Sequence, residues 1–341
     1  MTGPLRIASL TLDGRLFLAP MAGCSELAFR RICRAFGAAL TYTELVSARG
    51  IRCTASLKHA FPYIAISPDI APAAIQLFGS EPDDFRAALE RILLDPRTRA
   101  LRVLDVNMGC PVRKVVRSAS GAALIRDPER ACAIVRALRR DLEGTGIACT
   151  VKTRIGFDAG ENCIADFAVR LASAGAEAIC VHGRTRAQMY SGRADWRAIR
   201  GARGALDQAG FRDLPLIANG DIRDGASARA ALDESGAEAL MIGRAAMGNP
   251  WIFRDIRRYL DGQEALPPPD GAERARIGRL HARYLMEQMD EACVCREMRK
   301  TLMHYTQGLR NARQLRQLAS TVSTREDLEQ FWESVRMDGA L

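Results

Sequence analysis

Val103-Leu104-Asp105-Val106-Asn107-Met108-Gly109-Cys110-Pro111 is an apolar, β-branched run that ends in an amide, a glycine, a cysteine and a proline. It reads as a buried strand. Gly109 lets the backbone turn tightly, and Pro111 ends the strand without contributing a donor. Cys110 is thereby offered at the carboxyl end of a strand, where parallel α/β proteins bind ligands. Alone, a cysteine beside an apolar run is more often a small buried hydrophobe. The neighbouring sequence reverses that preference.

Similar strands lie on both sides. Phe17 to Gly23 runs into a proline–glycine turn, and Ala39 to Leu45 follows, ending at Glu44. Ala73 to Gly79 comes before the central run. After it come Cys149 to Gly156, Ala178 to Thr185, Leu214 to Asp221 and Ala239 to Arg244. Between them lie helical patterns: Phe29 to Phe36, Pro82 to Leu94, Pro128 to Leu142, Ile164 to Ala174, one near Asp195, Gly225 to Asp233, and Pro250 to Leu260. Eight strands alternating with seven helical patterns over about 240 residues predict a closed (β/α)8 TIM barrel. An open doubly wound sheet ranks second, because no GxGxxG turn follows the first strand. Leu10 to Phe17 alternates around Asp13-Gly14 and predicts a hairpin capping the bottom of the barrel.

Residues 261–271 (DGQEALPPPDG) form the one clear linker. Residues 272–341 show helical periodicity and many arginines, which predicts a small helical domain behind a barrel spanning residues 1–260. No run of about 18 apolar residues is present, so no membrane helix is expected. The opening stretch MTGPLRIASL has no long apolar core of a signal peptide, so a cytoplasmic chain is expected. Ten cysteines should then be mostly reduced thiols. They form no CxxC pair; Cys293 and Cys295 are the closest, and point to different helix faces, so no metal site is expected. The net charge of +9 suits a polyanionic partner as well as it suits a merely soluble basic protein. Lys58, Lys114, Lys152 and Lys300 are the only lysines.

Gln76, Asn107, Cys110, Lys152, Arg154, His182, Arg184, Asn219, Asp221 and Arg244 all lie at or just past predicted strand ends. In a barrel these positions converge on one mouth. So many polar side chains are hard to place in a core, where each needs a partner. Loops after the last two strands, Asn219-Gly220-Asp221 and Gly243-Arg244, suit a phosphate. Lys152 has two readings: a Schiff base, or a positive charge beside an electron-rich cofactor ring. His182 stands beside it as a donor.

Seven motifs stand in the order seen in tRNA-dihydrouridine synthases. They are Ala19-Pro20-Met21-Ala22-Gly23, Gln76-Leu77-Phe78-Gly79, Asn107 to Pro111, Lys152-Thr153-Arg154-Ile155-Gly156, His182-Gly183-Arg184-Thr185-Arg186, Asn219-Gly220-Asp221-Ile222 and Gly243 to Phe253. The chain most resembles the bacterial B-type branch. Arg296-Glu297-Met298-Arg299-Lys300 resembles that family's basic motif, with Thr301 where members often have histidine. The resemblance implies bound FMN, NADPH as the transient hydride donor, and tRNA as the substrate. It places Pro20, Met21 and Ala22 against the flavin ring, with Gln76, Lys152 and His182 contacting it. Asn219, Gly220, Asp221, Gly243 and Arg244 would hold the phosphate.

Uracil reduction needs a hydride on C6 and a proton on C5. A thiol is protonated at neutral pH, so Cys110 suits the acid role. Asn107, Arg154, Arg184 and Arg186 are expected to line the mouth toward RNA, and Arg296, Arg299 and Lys300 to meet it from the tail, beside Gln307, Arg310, Arg313 and Arg316. A monomer with no protein partner is expected. Three other readings stay open: a free-pyrimidine flavoenzyme of the dihydroorotate dehydrogenase kind, a Lys152 phosphosugar aldolase, and a non-catalytic RNA-binding protein.

Overall fold

The computed structural model describes residues 3–338; residues 1, 2 and 339–341, the ends of the two expected domains, lie outside the described residues. Strands β1 (Leu5–Ile7) and β2 (Leu10–Leu12) form a small antiparallel pair. Strands β3 (Leu16–Leu18), β4 (Leu40–Ser47), β5 (Ala73–Phe78), β6 (Leu101–Met108), β7 (Ala148–Arg154), β8 (Ala178–His182), β9 (Leu216–Asn219) and β10 (Ala239–Ile242) close into a parallel barrel, in that order around the ring. The long helices that alternate with these strands match the predicted ones to within a few residues, and Pro82–Leu94 matches at both ends. Pro82 and Pro128 each occupy the first helical turn, where a missing N–H costs nothing.

The hairpin differs from the sequence reading. The chain reverses at Ala8-Ser9, with Ala8 at a φ of 52°, and Asp13-Gly14 leads straight into barrel strand β3. Asp13 does not shape a turn there; its carboxylate takes two 3.0 Å bonds from Arg34. Leu5, Ile7 and Leu12 insert into a cluster with Phe17, Tyr42, Val103, Ala178 and Met241. This plugs the barrel floor, as expected, and pushes polar inward-facing groups toward the other end. The sixth to eighth barrel strands are shorter than predicted, with Gly183, Gly220 and Gly243 already in turns.

Helices Gly271–Met286, Glu291–Tyr305, Ala312–Thr321 and Arg325–Asp338 follow the exposed stretch 261–270. Their apolar core is not closed on itself. Ala28 and Ile32 from the first barrel helix (Leu27–Ala35) and Trp251 from the last (Trp251–Leu260) belong to the same buried cluster as Leu302, Tyr305, Phe331 and Trp332. Polar bonds reinforce the contact: Trp251 Nε1 donates to Glu273 at 3.2 Å, and His281 Nε2 lies 2.6 Å from Glu26 Oε1. No helix among the described residues is long and apolar enough to cross a membrane.

Gly278 marks the closest approach inside the helical region, because a Cβ there would stand 2.0 Å from the Trp332 ring. Gly201, in the barrel helix Trp196–Gln208, faces open space. Gly278→Ala should destabilise the protein by about 1–3 kcal/mol through overpacking. Gly201→Ala should stabilise it by about 0.5–1 kcal/mol through helix propensity. Thermal melting of both variants checks the pair; equal shifts would contradict this packing.

Candidate active site

The mouth is built from neighbouring strand ends. Gln76, Asp105 and Thr150 are register partners across β5, β6 and β7; one layer up, Asn107 pairs with Lys152, and Arg154 with His182. Asp105 is fully buried. Its carboxylate accepts from Gln76 Nε2 at 2.7 Å and from the Thr150 hydroxyl. Gln76 Oε1 accepts from Asn107 Nδ2 at 2.7 Å. Asn107 Oδ1 in turn accepts the backbone N–H of Gly109 (3.2 Å) and of Cys110 (2.9 Å). Burial pushes Asp105 up to about 6, while the bonds from Gln76 and Thr150 and the nearby Lys152 hold it back.

A register shift in β4 between Tyr42 and Leu45 serves the same wall. It turns Thr43 Oγ1 onto the Gln76 N–H (3.1 Å), and Glu44 Oε2 onto the Gly23 N–H (2.7 Å). Glu44 thus anchors the turn that carries Pro20, Met21 and Ala22. Ser25 ties the turn from within, its Oγ accepting the Met21 N–H at 2.6 Å and donating to the Ala19 carbonyl. Fully buried Arg30 adds a bond from its Nε to the Ser25 carbonyl.

Cys110 is half-buried. Its carbonyl accepts the Ala122 N–H, and Gly121 packs against it so closely that a Cβ would stand 3.1 Å from Cys110 Cβ and 2.8 Å from Val115. Gly121 also has a φ of +61°, so no other residue fits this seat. Burial pushes the Cys110 thiol up, against the pull of the Val112 N–H, Arg154 and Lys152. The thiol therefore stays protonated at neutral pH.

Four cations crowd the centre. Burial drives Lys152 below its ordinary value, and its ammonium takes no hydrogen bond or ion pair from the described residues. Burial and Lys152, Arg154, Arg184 and Arg244 hold His182 well below its ordinary value, so it is a neutral imidazole. Arg184 can only donate, and its Nη1 lies 3.4 Å from His182 Nε2, which makes that nitrogen the acceptor.

Arg154 and Arg184 depart from the expected solvent-facing mouth. Both are buried. Arg154 donates to the carbonyls of Gly109, Thr185 and Met189, and Arg184 to those of Ser191 and Gly192 and to Asp221 at 2.8 Å. Their forks hold loop 185–192 instead of reaching outward, because the long connections after β7 and β8 leave carbonyls outside regular structure that need donors. Arg186 lies at the edge, its guanidinium 5.1 Å from the Phe157 ring, which also carries Arg126 at 3.9 Å. Asn107 likewise spends its amide oxygen on the Cys110 loop.

On the far side, Asn219 Nδ2 donates to the Met241 carbonyl. Asp221 accepts from Arg184, from the Ala194 N–H and, at 3.4 Å, from Arg244. Burial alone would raise Asp221, but those donors outweigh it and keep it below the usual carboxylate range. The Asp221 carboxylate is therefore committed, and what this corner can offer an anion is the second Asn219 amide N–H, the backbone N–H groups at Gly220 and Gly243, and the half-exposed Arg244. Gly220 has a φ of +114°, and a Cβ there would stand 2.8 Å from His182. In the helical region Arg299 donates to the Val322 carbonyl and exposed Arg296 to the Cys293 thiol. Lys300 Nζ reaches the barrel mouth, 3.8 Å from where a Gly23 Cβ would stand. Exposed Arg310, Arg313 and Arg316 make no side-chain ion pair among the described residues. No cluster of metal ligands occurs among the described residues.

The sequence reading missed Asp105, Glu44, Ser25, Arg30 and Gly121. A carboxylate inside an apolar strand was the available signal for Asp105, since a buried charge must be paired. The raised thiol makes a testable statement. Site-resolved alkylation of Cys110 by iodoacetamide should rise with pH through a midpoint above the ordinary thiol value of about 8.5. A midpoint near neutrality would remove Cys110 as a proton donor.

The family model described as "Dihydrouridine synthase (Dus)" matches residues 17–338. A "Probable tRNA-dihydrouridine synthase 1" of Synechocystis sp. is 36% identical over 315 residues, covering 92% of this chain and 84% of that protein. A "tRNA-dihydrouridine synthase B" of Klebsiella pneumoniae is 37% identical over 304 residues, covering 89% and 90%. Among solved structures, a dihydroorotate dehydrogenase of Eimeria tenella in complex with ferulenol superimposes with a TM-score of 0.52 at 14% identity, over 75% of this chain and 83% of that one. A 2-naphthoyl-CoA reductase superimposes with a TM-score of 0.52 at 11% identity, over 77% and 52%. These two share the barrel fold. The extent of the family match and the identity of the relatives show that the chain belongs to the dihydrouridine synthase family.

Proposed function

We propose that this protein is a tRNA-dihydrouridine synthase, which reduces specific uridines of tRNA to 5,6-dihydrouridine with NADPH as reductant and FMN as resident cofactor. The observation that carries the reading is the cationic cluster at the strand ends, where Lys152 makes no hydrogen bond or ion pair among the described residues and acts through space on a protonated Cys110 thiol. Lys152 and the arginines around it outnumber the nearby carboxylates Asp105 and Asp221, so the site favours a negatively charged ligand. The residues present fit FMN. Gly220, Gly243 and Arg244 offer N–H groups and a guanidinium to a phosphate, and Lys152 offers its charge to the ring. Pro20, Met21 and Ala22 form the turn against which the ring would lie, with Gln76 and neutral His182 at its edge.

When bound, reduced FMN supplies the hydride to C6 of the uracil. The rest belongs to the chain. Cys110, held by Asn107 and Gly121, delivers its thiol proton to C5. Arg154 and Arg184 keep loop 185–192 in place and exclude water. The base must leave the RNA stack to enter, and Arg186 and Lys300 stand at the rim for the flanking phosphates. Residues 1–260 act as the catalytic barrel, 261–271 as the connection, and 272–341 as the RNA-binding region. Within that region Arg296, Arg310, Arg313 and Arg316 leave a basic surface.

The test is reconstitution. The purified chain should bind FMN, bleach it with NADPH, and form dihydrouridine in tRNA made without modifications. Cys110→Ala should keep flavin reduction and RNA binding but lose about 100-fold or more of product formation, the range of a positioned general acid. Turnover of a free pyrimidine, with none on tRNA, would replace this reading with a dihydroorotate dehydrogenase-like one. Undiminished turnover in Cys110→Ala would remove the acid role.

A further inference from the structure

We propose that Asp105 is a positioning residue: its carboxylate, sealed inside the barrel, sets the hydrogen-bond direction of Gln76 and Asn107 and through them fixes the backbone that carries Cys110. The wiring stands on the geometry alone; its consequence for catalysis rests on the proposed reaction.

An amide side chain has nearly the same shape in both flips but opposite polarity. Something must decide which way Gln76 and Asn107 face. At one end, Gly109 and Cys110 both present N–H groups, so Asn107 must turn its oxygen to them. At the other, an ionised carboxylate only accepts, so Gln76 must turn its nitrogen to Asp105. The middle bond, Asn107 Nδ2 to Gln76 Oε1, is the one arrangement that satisfies both ends. It leaves each amide one N–H that these bonds do not use. The strands' register makes the chain possible, since Gln76, Asp105 and Thr150 are direct neighbours across three strands.

Removing the acceptor at the sealed end has a directed consequence. Without it, Gln76 Nε2 is a buried donor with no partner, and nothing at that end selects which way the amide faces, so the flipped rotamer is no longer excluded there. Its nitrogen then meets the nitrogen of Asn107. If Asn107 flips as well, its nitrogen meets the N–H groups of Gly109 and Cys110. The unflipped chain keeps an unpaired buried donor and each flipped one sets two donors against each other, so the loss at Asp105 weakens the chain up to the Cys110 turn.

The experiment measures Cys110 alkylation by iodoacetamide in the full-length chain, with and without added FMN, resolved by peptide mass spectrometry. Exposed Cys53 is the internal reference. Asp105→Leu and Gln76→Leu should each raise the Cys110 rate about tenfold, as expected for loss of a buried hydrogen-bonded link, with Cys53 unchanged. Asp105→Asn keeps an acceptor oxygen for Gln76, and Thr150→Val leaves the chain to Cys110 intact. Both should stay within about threefold of the parent. If Asp105→Leu does not fold, Gln76→Leu carries the test. A Cys110 rate unchanged in folded Asp105→Leu and Gln76→Leu would overturn the proposal, and so would Asp105→Asn behaving like Asp105→Leu. Faster alkylation with undiminished dihydrouridine formation would uphold the wiring and instead discard the acid role of Cys110.

Discussion

A carboxylate enclosed in a barrel must be paired, and in this molecule one such pairing organises the catalytic end. Below Asp105 the interior is apolar, filled by Phe17, Val103 and Met241 and plugged by Leu5, Ile7 and Leu12. Above it the interior is polar. Desolvating a carboxylate is expensive unless hydrogen bonds replace the lost water. Asp105 recovers part of that cost by taking bonds from both neighbouring strands, and one of these bonds begins the path to Cys110. The floor plug and the reactive turn are thus parts of one structure, with the plug keeping water away from the group that orients the turn.

The second constraint is a surplus of positive charge with few anions to match it. Arg154 and Arg184 spend their donors on carbonyls and Asp221, and become scaffolding for the loop above them while keeping their charge. Lys152 makes no hydrogen bond or ion pair among the described residues, and Asp105 reaches it only through space. Burial first, then the field of Lys152 with theirs, keeps His182 neutral, and the same field pulls the Cys110 thiol back toward its ordinary value. Burial wins for the thiol, which suits an acid that must hold its proton until a carbon takes it. A nucleophilic cysteine would need the balance reversed. The same fold element thus separates roles: fixed cations to attract and hold an anion, and a neutral thiol and imidazole to do hydrogen-bond and proton work.

Much of this was legible from the residues. The period of apolar runs and helical patterns gives the eight strands in order, and Pro82 and Pro128 mark helix starts to the residue. Strand ends gave most of the polar residues that converge. What stayed hidden depends on partners distant in sequence. Asp13-Gly14 looks like a hairpin turn because composition cannot show that Arg34 takes the Asp13 carboxylate. Arg154 and Arg184 look like ligand-gripping residues because the carbonyls they satisfy lie in loops whose course the sequence does not reveal. Glu44 looks like an ordinary strand end, since only the bulge in β4 aims it at Gly23.

The helical region is less separable than its composition suggests. Its core includes Ala28, Ile32 and Trp251, so stripping it away would bare apolar surface on two barrel helices. The contact also bears on the site. Glu26 caps the first barrel helix through the Phe29 N–H while its other contact is His281, buried against Phe29 and Tyr305. One residue earlier, Ser25 ties the turn of Pro20, Met21 and Ala22, and Lys300 overhangs Gly23 in that same turn. The turn is therefore clamped from the barrel by Glu44 and approached from the tail by Lys300. A truncated barrel would lose a wall of its mouth along with its tail, so impaired turnover after truncation would not by itself report lost RNA contact. Substitution of surface arginines such as Arg313 and Arg316, which support no packing in the barrel, separates the two effects.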